Sequence, residues 1–296
     1  MKILIIVIIV VAVLVILAAY VLASMIARPK TTSLEDEIKW EKDNDLWGNF
    51  DAYETEKYTV DGMDGYTLHA MLVKNATDTG KYVIISHGFT SNRYGAVKYV
   101  DVWQGLGYNC IIYDVRRHGE NEKTACSLGN FESQDLAKLI EDTYTRYGSD
   151  IELGLQGESM GSSISLSVLA YNPDVKFVVA DCGFTNLYEL IHTGYSNMKI
   201  GWMTPLVNAV IKVIGGYSMK DTSAVDAVRS TTVPIMFIHG GNDTFIPPDN
   251  SKRLAEAAGG YTEVHIVDGA EHALSMKVLG ADEYRKLVSG FLANLD

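Results

Sequence analysis

A serine at position 159 lies between two glycines, in the segment Gly157-Glu158-Ser159-Met160-Gly161. An apolar run, IELGL, precedes this segment, and a run with helical periodicity, MGSSISLSVLAY, follows it. A Gly-x-Ser-x-Gly pattern between a strand and a helix is typical of a nucleophilic serine on a sharp turn. The pattern by itself also arises by chance, and a glycine turn that happens to hold a serine is the alternative. The context favours Ser159 as a nucleophile.

A serine hydroxyl is a poor nucleophile at neutral pH and needs a base within hydrogen-bond reach. That base in turn needs an acid that orients it. The candidates for the base are the seven histidines His69, His87, His118, His192, His239, His265 and His272. The choice among them depends on the elements that position each residue.

Short apolar runs alternate with helical patterns from about residue 58 onwards. Runs such as YVIIS and KFVVA are apolar at consecutive positions, as in strands that are covered on both faces. We therefore expect an α/β fold with a doubly wound, mostly parallel sheet. The runs YTV and YTLHAMLV flank DGMDG and predict an antiparallel hairpin at the N-terminal edge of this sheet.

One connection is longer than a crossover needs. Residues 184–232 separate the runs KFVVADCG and VPIMFIHGG, and they include the apolar helical pattern from Trp202 to Ile214. The segment leaves the carboxyl end of a central strand, where open α/β sheets bind ligands. We predict a lid over a pocket, and a surface excursion with its own small core is the alternative.

The sequence resembles the α/β-hydrolase superfamily over about residues 55–296, and in particular its membrane-anchored bacterial serine hydrolases of the serine aminopeptidase-like and esterase-lipase group. The matching segments are SHGFTSNR, YDVRRHGEN, GESMG, DCGFTNL, HGGNDTFIP and GAEHA, in the family's order. The resemblance implies a catalytic triad in the chain order serine, acid, histidine. Arg117 stands where the family usually has a glycine, and this departure concerns the local loop geometry.

The resemblance implies that His272 is the base, because it follows the last strand and precedes the last helix. Asp243, directly after the strand VPIMFIHGG, matches the position of the family's acid. Asp181 and Asp114 also follow strands and are alternatives for the acid. His265 falls inside a strand, where packing or an exposed edge explains it.

The family also stabilises the oxyanion with two backbone amides. The corresponding N–H groups here belong to Met160, directly after the nucleophile, and to Phe89, in His87-Gly88-Phe89. An ordinary glycine turn is the alternative interpretation of the second segment. His118 resembles the family's structural His-Gly turn. The role of Glu158, next to the serine, stays open.

The first 27 residues differ from the rest of the chain in being almost entirely apolar. Ile3 to Ala27 contain no charge and are long enough to cross a bilayer as a helix. A secretory signal peptide that is cleaved after Ala23 is the alternative, but its apolar region is usually shorter. We expect an uncleaved single-pass membrane anchor (1–27), a charged spacer (28–54) and a catalytic domain (55–296). The Lys/Arg distribution hardly discriminates between orientations, and we favour an extracytoplasmic catalytic domain.

The chain of 296 residues has 25 Lys+Arg, 37 Asp+Glu and a formal net charge of −12. No basic block follows the apolar segment, so a nucleic-acid partner and a general attraction to anionic lipid are disfavoured. The spacing of histidines, cysteines and carboxylates shows no metal-site pattern, and no glycine-rich phosphate-binding motif is present. We expect catalysis without a metal or cofactor.

These features predict a serine hydrolase, carboxylesterase-like, that cleaves esters of small to medium acyl chains through an acyl-enzyme. The ester preference is implied by the resemblance, since a fold does not fix the substrate. A peptidase, thioesterase or acyltransferase with the same triad is one alternative. A non-catalytic binding module that keeps the fold is another. The sequence does not predict the oligomeric state.

Overall fold

A single eight-stranded sheet organises residues 1–295, the part of the chain that the computed structural model describes. Its order is β1-β2-β4-β3-β5-β6-β7-β8. Only the β1–β2 and β2–β4 pairs are antiparallel within these residues. The strands are β1 (Thr55–Asp61), β2 (Thr67–Val73), β3 (Lys81–Ser86), β4 (Asn109–Tyr113), β5 (Glu152–Glu158), β6 (Phe177–Asp181), β7 (Ile235–Gly240) and β8 (Thr262–Val267).

Helices cover both faces of the sheet. They are α1 (Lys2–Ala27), α2 (Leu34–Asp43), α3 (Val100–Gly105), α4 (Asn130–Tyr147), α5 (Met160–Ser167), α6 (Leu187–Asn197), α7 (Thr204–Gly215), α8 (Ala224–Arg229), α9 (Asp249–Ala257) and α10 (Ser275–Ala293). Successive side chains of a strand point to opposite faces. In β3, accordingly, Ile84 packs in the core beneath α4 and α5, and Ile85 packs in the core beneath α3 and α10. The predicted doubly wound, mostly parallel fold and its N-terminal hairpin are confirmed.

The long connection between β6 and β7 holds three helices, α6, α7 and α8. The predicted apolar stripe is helical, and Val207 and Ile211 of α7 are buried in the core. The connection therefore packs into the same core that lies beneath α4 and α5. Its function as a lid stays a prediction.

α1 is long and apolar enough to cross a membrane, a property that a signal sequence shares. Most of its surface is exposed, but Ala19, Ala23 and Ala27 are buried, and α1 packs along α7. Two further bonds attach its C-terminal end to the domain. The Cys126 N–H donates to the Ala27 carbonyl (2.9 Å), and Arg28 Nη2 donates to the Ile214 carbonyl (2.9 Å).

The segment predicted as a charged spacer folds onto the sheet domain. Its helix α2 begins at an N-cap, where the Ser33 hydroxyl accepts a hydrogen bond from the Asp36 N–H (3.1 Å). α2 packs on the 3₁₀ helix 93–99, and Glu37 and Glu41 are buried there. The sequence predicted a charged spacer here, and most charges of α2 are exposed, but Glu37 accepts a hydrogen bond from the Ser91 hydroxyl (2.5 Å) inside the domain.

Candidate active site

Ser159 occupies the turn between β5 and α5 with a φ of 55° and a ψ of −114°. Such a backbone is strained for a residue with a Cβ. The neighbouring glycines make this turn possible. A Cβ at Gly157 would lie 2.2 Å from the Gly161 carbonyl oxygen, and a Cβ at Gly161 would lie 2.0 Å from the Ser86 carbonyl oxygen. Both glycines are therefore required by close backbone packing around the serine.

The structure brings Ser159, His272 and Asp243 together from three different connections. Ser159 Oγ lies 2.9 Å from His272 Nε2, and His272 Nδ1 lies 2.6 Å from Asp243 Oδ2. Asp243 follows β7, and His272 follows β8. A carboxylate at Nδ1 favours the imidazole tautomer whose Nε2 can accept the serine proton.

Asp243 is held as an ionised acceptor. Its Oδ1 accepts hydrogen bonds from the N–H groups of Phe245 (2.9 Å) and Ile246 (2.8 Å). Burial opposes the charge, but hydrogen bonds from His239, His272 and Ile246 outweigh burial and lower the pKa of the Asp243 carboxyl. The carboxylate is thus available to His272 over the whole neutral range.

His239 is a second neighbour of Asp243 that the sequence did not reveal in this role. Its buried ring has Nε2 2.7 Å from the Ile246 carbonyl and 3.3 Å from Asp243 Oδ2. Its Nδ1 lies 2.7 Å from the Ser251 hydroxyl. His239 thereby fixes the loop that carries Asp243. Its position four residues before Asp243 was the available signal.

The other candidates lie in other environments. Asp114 accepts hydrogen bonds from the backbone and guanidinium of buried Arg93. Asp181 Oδ2 accepts from the Tyr284 hydroxyl (3.3 Å) and lies 3.3 Å from the Tyr99 hydroxyl. His265, on the edge strand β8, contacts Glu263 and is half-buried.

The predicted oxyanion donors flank the serine. Among residues 1–295, the N–H groups of Phe89 and Met160 have no acceptor. His118 supports the Phe89 loop, because its Nε2 accepts from the Thr90 N–H (3.2 Å). Burial lowers the pKa of His118 to about 4, so the ring is a neutral acceptor near pH 7. His87 is likewise buried, and its Nε2 accepts from the Val115 N–H (3.0 Å).

Arg117 adopts the conformation that the family's glycine would adopt, with a φ of 74°. Its side chain compensates by donating to backbone carbonyls of Pro29 (3.2 Å), Lys123 (3.0 Å) and Thr124 (2.5 Å). The loop geometry is therefore kept at a cost of the order of 1–3 kcal/mol in backbone strain. The bond to Pro29 ties this loop to the chain just after α1.

Two cavities meet at Ser159. One, of about 450 Å³, is mostly apolar and lies beneath α6, with Met160, Phe184, Leu190 and Ile26 in its wall. The other, of about 520 Å³, lies beside α2 and also reaches His272 and Gly88. A larger depression of about 720 Å³ around Asp101 contains none of the candidate residues. Ser159 therefore lies between two cavities, one beneath α6 and the other beside α2.

Glu158, next to the serine, belongs to a buried group that we name the Lys98 cluster: Glu37, Glu41, Lys98, Tyr99 and Glu158. Lys98 Nζ lies 2.8 Å from Glu158 Oε2 and 3.9 Å from Glu41 Oε1. The Tyr99 hydroxyl donates to Glu158 Oε2 (2.7 Å). The cluster links α2 to β5, the strand that leads to Ser159.

Glu41 gives the Lys98 cluster a testable pH dependence. Its carboxylate oxygens have no hydrogen-bond donor within residues 1–295, and burial raises the pKa of Glu41 from 4.5 to about 8. Between these values the unfolded chain loses the proton and the folded chain keeps it, so stability falls as pH rises. We expect Glu41→Gln to remove this part of the decline in stability. Between pH 5.5 and pH 8, its free energy of unfolding should rise relative to that of wild type by at least about 1 kcal/mol, or about 2 °C in Tm.

Thermal melts of the full chain at several pH values measure this effect. Glu35→Gln, an exposed residue on the same helix, is the control. Lys98, Glu158 and Glu37 face Glu41 and are present in both proteins, so the two chains differ only in the carboxyl of residue 41. Parallel pH profiles of wild type and Glu41→Gln would contradict the assignment.

Two family models match overlapping parts of the chain. A model of the alpha/beta hydrolase fold matches residues 81–200, and a model described as Serine hydrolase (FSH1) matches residues 150–272. The second match extends from the start of β5 to His272. Among curated proteins, the uncharacterized protein YqkD of Bacillus subtilis (strain 168) is 31% identical over 283 residues, which cover 93% of this chain and 92% of that protein.

Solved structures show the same fold. The esterase Pf2001 of Pyrococcus furiosus has a TM-score of 0.64 and 23% identity, covering 86% of this chain and 95% of that one. The acylaminoacyl peptidase of Pyrococcus horikoshii has a TM-score of 0.60 and 15% identity, covering 81% of this chain and 41% of that one. The sheet order, the turn at Ser159 and these matches agree: the chain belongs to the α/β-hydrolase superfamily.

Proposed function

We propose that this protein is a serine hydrolase that cleaves carboxylic esters of small to medium acyl chains through an acyl-enzyme. The observation that carries the proposal is the hydrogen-bonded sequence from Ser159 Oγ to His272 Nε2 and from His272 Nδ1 to Asp243 Oδ2. In this proposal Ser159 is the nucleophile, His272 the general base and acid, and Asp243 the residue that orients His272.

The first half-reaction forms the acyl-enzyme. Ser159 Oγ attacks the ester carbonyl carbon while its proton moves to His272 Nε2, and the carbonyl oxygen becomes the oxyanion. The N–H groups of Phe89 and Met160 are the proposed oxyanion donors, and Met160 also begins helix α5. The tetrahedral intermediate expels the alkoxide, which takes the proton from His272 and leaves as an alcohol.

The second half-reaction restores the enzyme. A water molecule gives a proton to His272 Nε2 as its oxygen attacks the acyl carbonyl. The second tetrahedral intermediate then releases Ser159 Oγ, which recovers the proton, and the carboxylic acid departs. Asp243 stays ionised throughout and stabilises the imidazolium in both steps.

The preference for esters of short and medium acids is supported by the cavities. The apolar cavity of about 450 Å³ suits an acyl chain, and its size lies in the lower part of the usual range for small-ligand sites. The cavity beside α2 is then the site of the leaving alcohol. The esterase among the structural neighbours has the same fold, and so does the peptidase.

We further propose that α1 anchors the enzyme in a membrane as a single span. Its composition and length fit a bilayer, with Lys2 as its first residue and Arg28 directly after it. The predicted extracytoplasmic side of the catalytic domain belongs to the same proposal. In this arrangement the domain stays attached at the membrane surface through the bonds at Ala27 and Arg28.

A panel of p-nitrophenyl esters from acetate to palmitate, measured with the detergent-solubilised full chain, tests the substrate class. We expect the highest kcat/KM at butyrate to octanoate and a decline at palmitate, because the apolar cavity limits the chain. Matched p-nitroanilides and acyl thioesters test the peptidase and thioesterase alternatives, and an added alcohol acceptor tests acyl transfer. Faster cleavage of the anilides than of the esters would contradict the proposal.

A further inference from the structure

The outward face of α7 is apolar although it faces solvent in the isolated chain. Val213 is 85% exposed, and Trp202, in the turn just before the helix, is 64% exposed. Ala209 is also exposed, and Leu206 and Val210, at the edge of this face, are half-buried against the core. Together the five residues recur at helical spacing. The opposite face of α7, with Val207 and Ile211, is buried in the core. A helix that is apolar on both faces needs a second apolar environment.

The position of α7 along α1 shows where that environment lies. The C-terminal ends of the two helices meet, since a Cβ at Gly215 would lie 3.5 Å from the Ala27 Cβ. The buried positions of α1 continue back from Ala27 through Ala23 to Ala19. These alanines recur every four residues, which lets a neighbouring helix approach closely. The two helices therefore run side by side, with Trp202 towards the N-terminal half of α1.

The length of α1 sets how deep the neighbouring α7 lies in the bilayer. α1 has 26 residues and measures about 39 Å, against about 30 Å for a hydrocarbon core. If the core begins at Ile3, it ends near Leu22, and Ala19 lies about 5 Å inside it. The end of α7 that lies beside Ala19 is then at the depth of an interfacial amphipathic helix, about 5–10 Å into the boundary of head groups and acyl chains.

The local charge favours the same environment. Residues 190–220 contain Lys199, Lys212 and Lys220 and no Asp or Glu, although the whole chain has a net charge of −12. Arg28 and Lys30 follow α1 on the same side. A segment without carboxylates avoids the repulsion by anionic head groups that the acidic remainder of the chain meets.

The apolar cavity connects this face to the reaction. Ile26, in the last turn of α1, lies in the wall of the cavity that reaches Ser159, together with Leu190 and Met198 of the adjacent connection. Met198, four residues before Trp202, is 60% exposed. The acyl side of the site is thus built partly from the membrane-anchoring helix.

We propose that the α7 face, defined as Trp202, Leu206, Ala209, Val210 and Val213, inserts into the bilayer beside α1, and that the enzyme takes esters that are dissolved in the membrane. This inference rests on the proposed function and anchor. Its substrates are amphiphilic esters with a single medium-length acyl chain. They pass from the lipid phase to Ser159 between the end of α1 and α6, whose side chains line the apolar cavity.

The first test measures the depth of Trp202 in the full chain, reconstituted in vesicles of phosphatidylcholine with and without phosphatidylglycerol. Lipids brominated on the acyl chains quench tryptophans that reach the hydrocarbon. We expect Trp202→Phe to lose at least about half of the quenching seen in wild type, because the face inserts. The three tryptophans elsewhere, Trp40, Trp47 and Trp103, supply the baseline. Equal quenching of wild type and Trp202→Phe would overturn the insertion.

The second test compares two substrates. For an octanoyl ester dissolved in vesicles, we expect Val213→Asp to lower turnover on the order of tenfold, because a charge opposes insertion. For p-nitrophenyl acetate in detergent, we expect the same variant to stay within about twofold of wild type, because Val213 lies outside the cavity wall. Val278→Asp, at a residue of α10 that is 51% exposed, is the matched control and should change neither rate. Equal loss on both substrates, or on neither, would overturn the proposal.

The two experiments separate this inference from the proposed function. Absence of esterase activity in the wild-type chain would contradict the proposed function, but quenching of Trp202 would still measure insertion. If the face instead binds a second copy, photobleaching in vesicles would count pairs that Trp202→Asp separates, and Trp202 would escape the brominated lipids. That outcome would also overturn the proposal.

Discussion

Ser159→Ala is expected to lower kcat/KM for p-nitrophenyl butyrate by about 10⁴-fold or more. Without Oγ there is no acyl-enzyme, and water must attack the ester directly with only the remaining groups to help it. The same variant should not react with a fluorophosphonate probe, because labelling requires Oγ to bond to phosphorus as fluoride leaves. Initial rates and gel fluorescence of the labelled protein measure the two effects.

Ser162→Ala is the matched control for this variant. Ser162 lies one turn further along α5, it is fully buried, and its hydroxyl has no hydrogen-bond partner within residues 1–295. We expect its activity and labelling to stay within about twofold of wild type, since no hydrogen bond is lost. A Ser159→Ala protein that melts cooperatively and keeps wild-type activity would refute the assignment of Ser159 as the nucleophile.

Asp243→Asn is expected to lower kcat on the order of 10³- to 10⁴-fold with little change in the melting temperature. The amide oxygen can still accept the N–H groups of Phe245 and Ile246. Its NH₂ group then faces His272 Nδ1 and must donate to it. This selects the tautomer with the proton on Nε2, which cannot accept the proton of Ser159. Initial rates and the rate of fluorophosphonate labelling measure the loss.

Asp181→Asn tests the rival acid with the same change. Burial and the nearby Glu158 raise the pKa of Asp181 to about 7, so that a neutral amide resembles its partly protonated state. Its contacts are the hydroxyls of Tyr99 and Tyr284. We expect less than about a tenfold loss of kcat. A larger loss for Asp181→Asn than for Asp243→Asn would transfer the role of the acid.

The sequence predicted the sheet because consecutive apolar residues in strands such as β3 need cover on both faces, and it predicted the hairpin from its glycine turn. It also predicted that Ser159, Asp243 and His272 follow strands. Parallel strands bring their carboxyl ends to one edge. The geometry now places the three side chains within hydrogen-bond distance, and their catalytic role stays a prediction until the variants are measured.

Long-range packing was not predictable from local patterns. Glu37 and Glu41 look like solvated charges on a polar helix, and only the fold brings Lys98 to Glu41 and Glu158. Arg117 keeps a backbone conformation that its residue type disfavours. The folded loop brings the carbonyls of Pro29, Lys123 and Thr124 to its side chain, which donates to all three. Neither arrangement has a signature within a few neighbouring residues.

Because α1 packs along α7, the first helix is also part of the folded domain. A chain shortened to begin after Arg28 for purification would remove the buried residues of α1 from the core that holds Val207 and Ile211, and would open one wall of the apolar cavity at Ile26. Processing by a signal peptidase after Ala23 would remove Ala19 and Ala23 from the same core. The apolar helix and the sheet domain therefore share one packed core and are best produced, stored and assayed together.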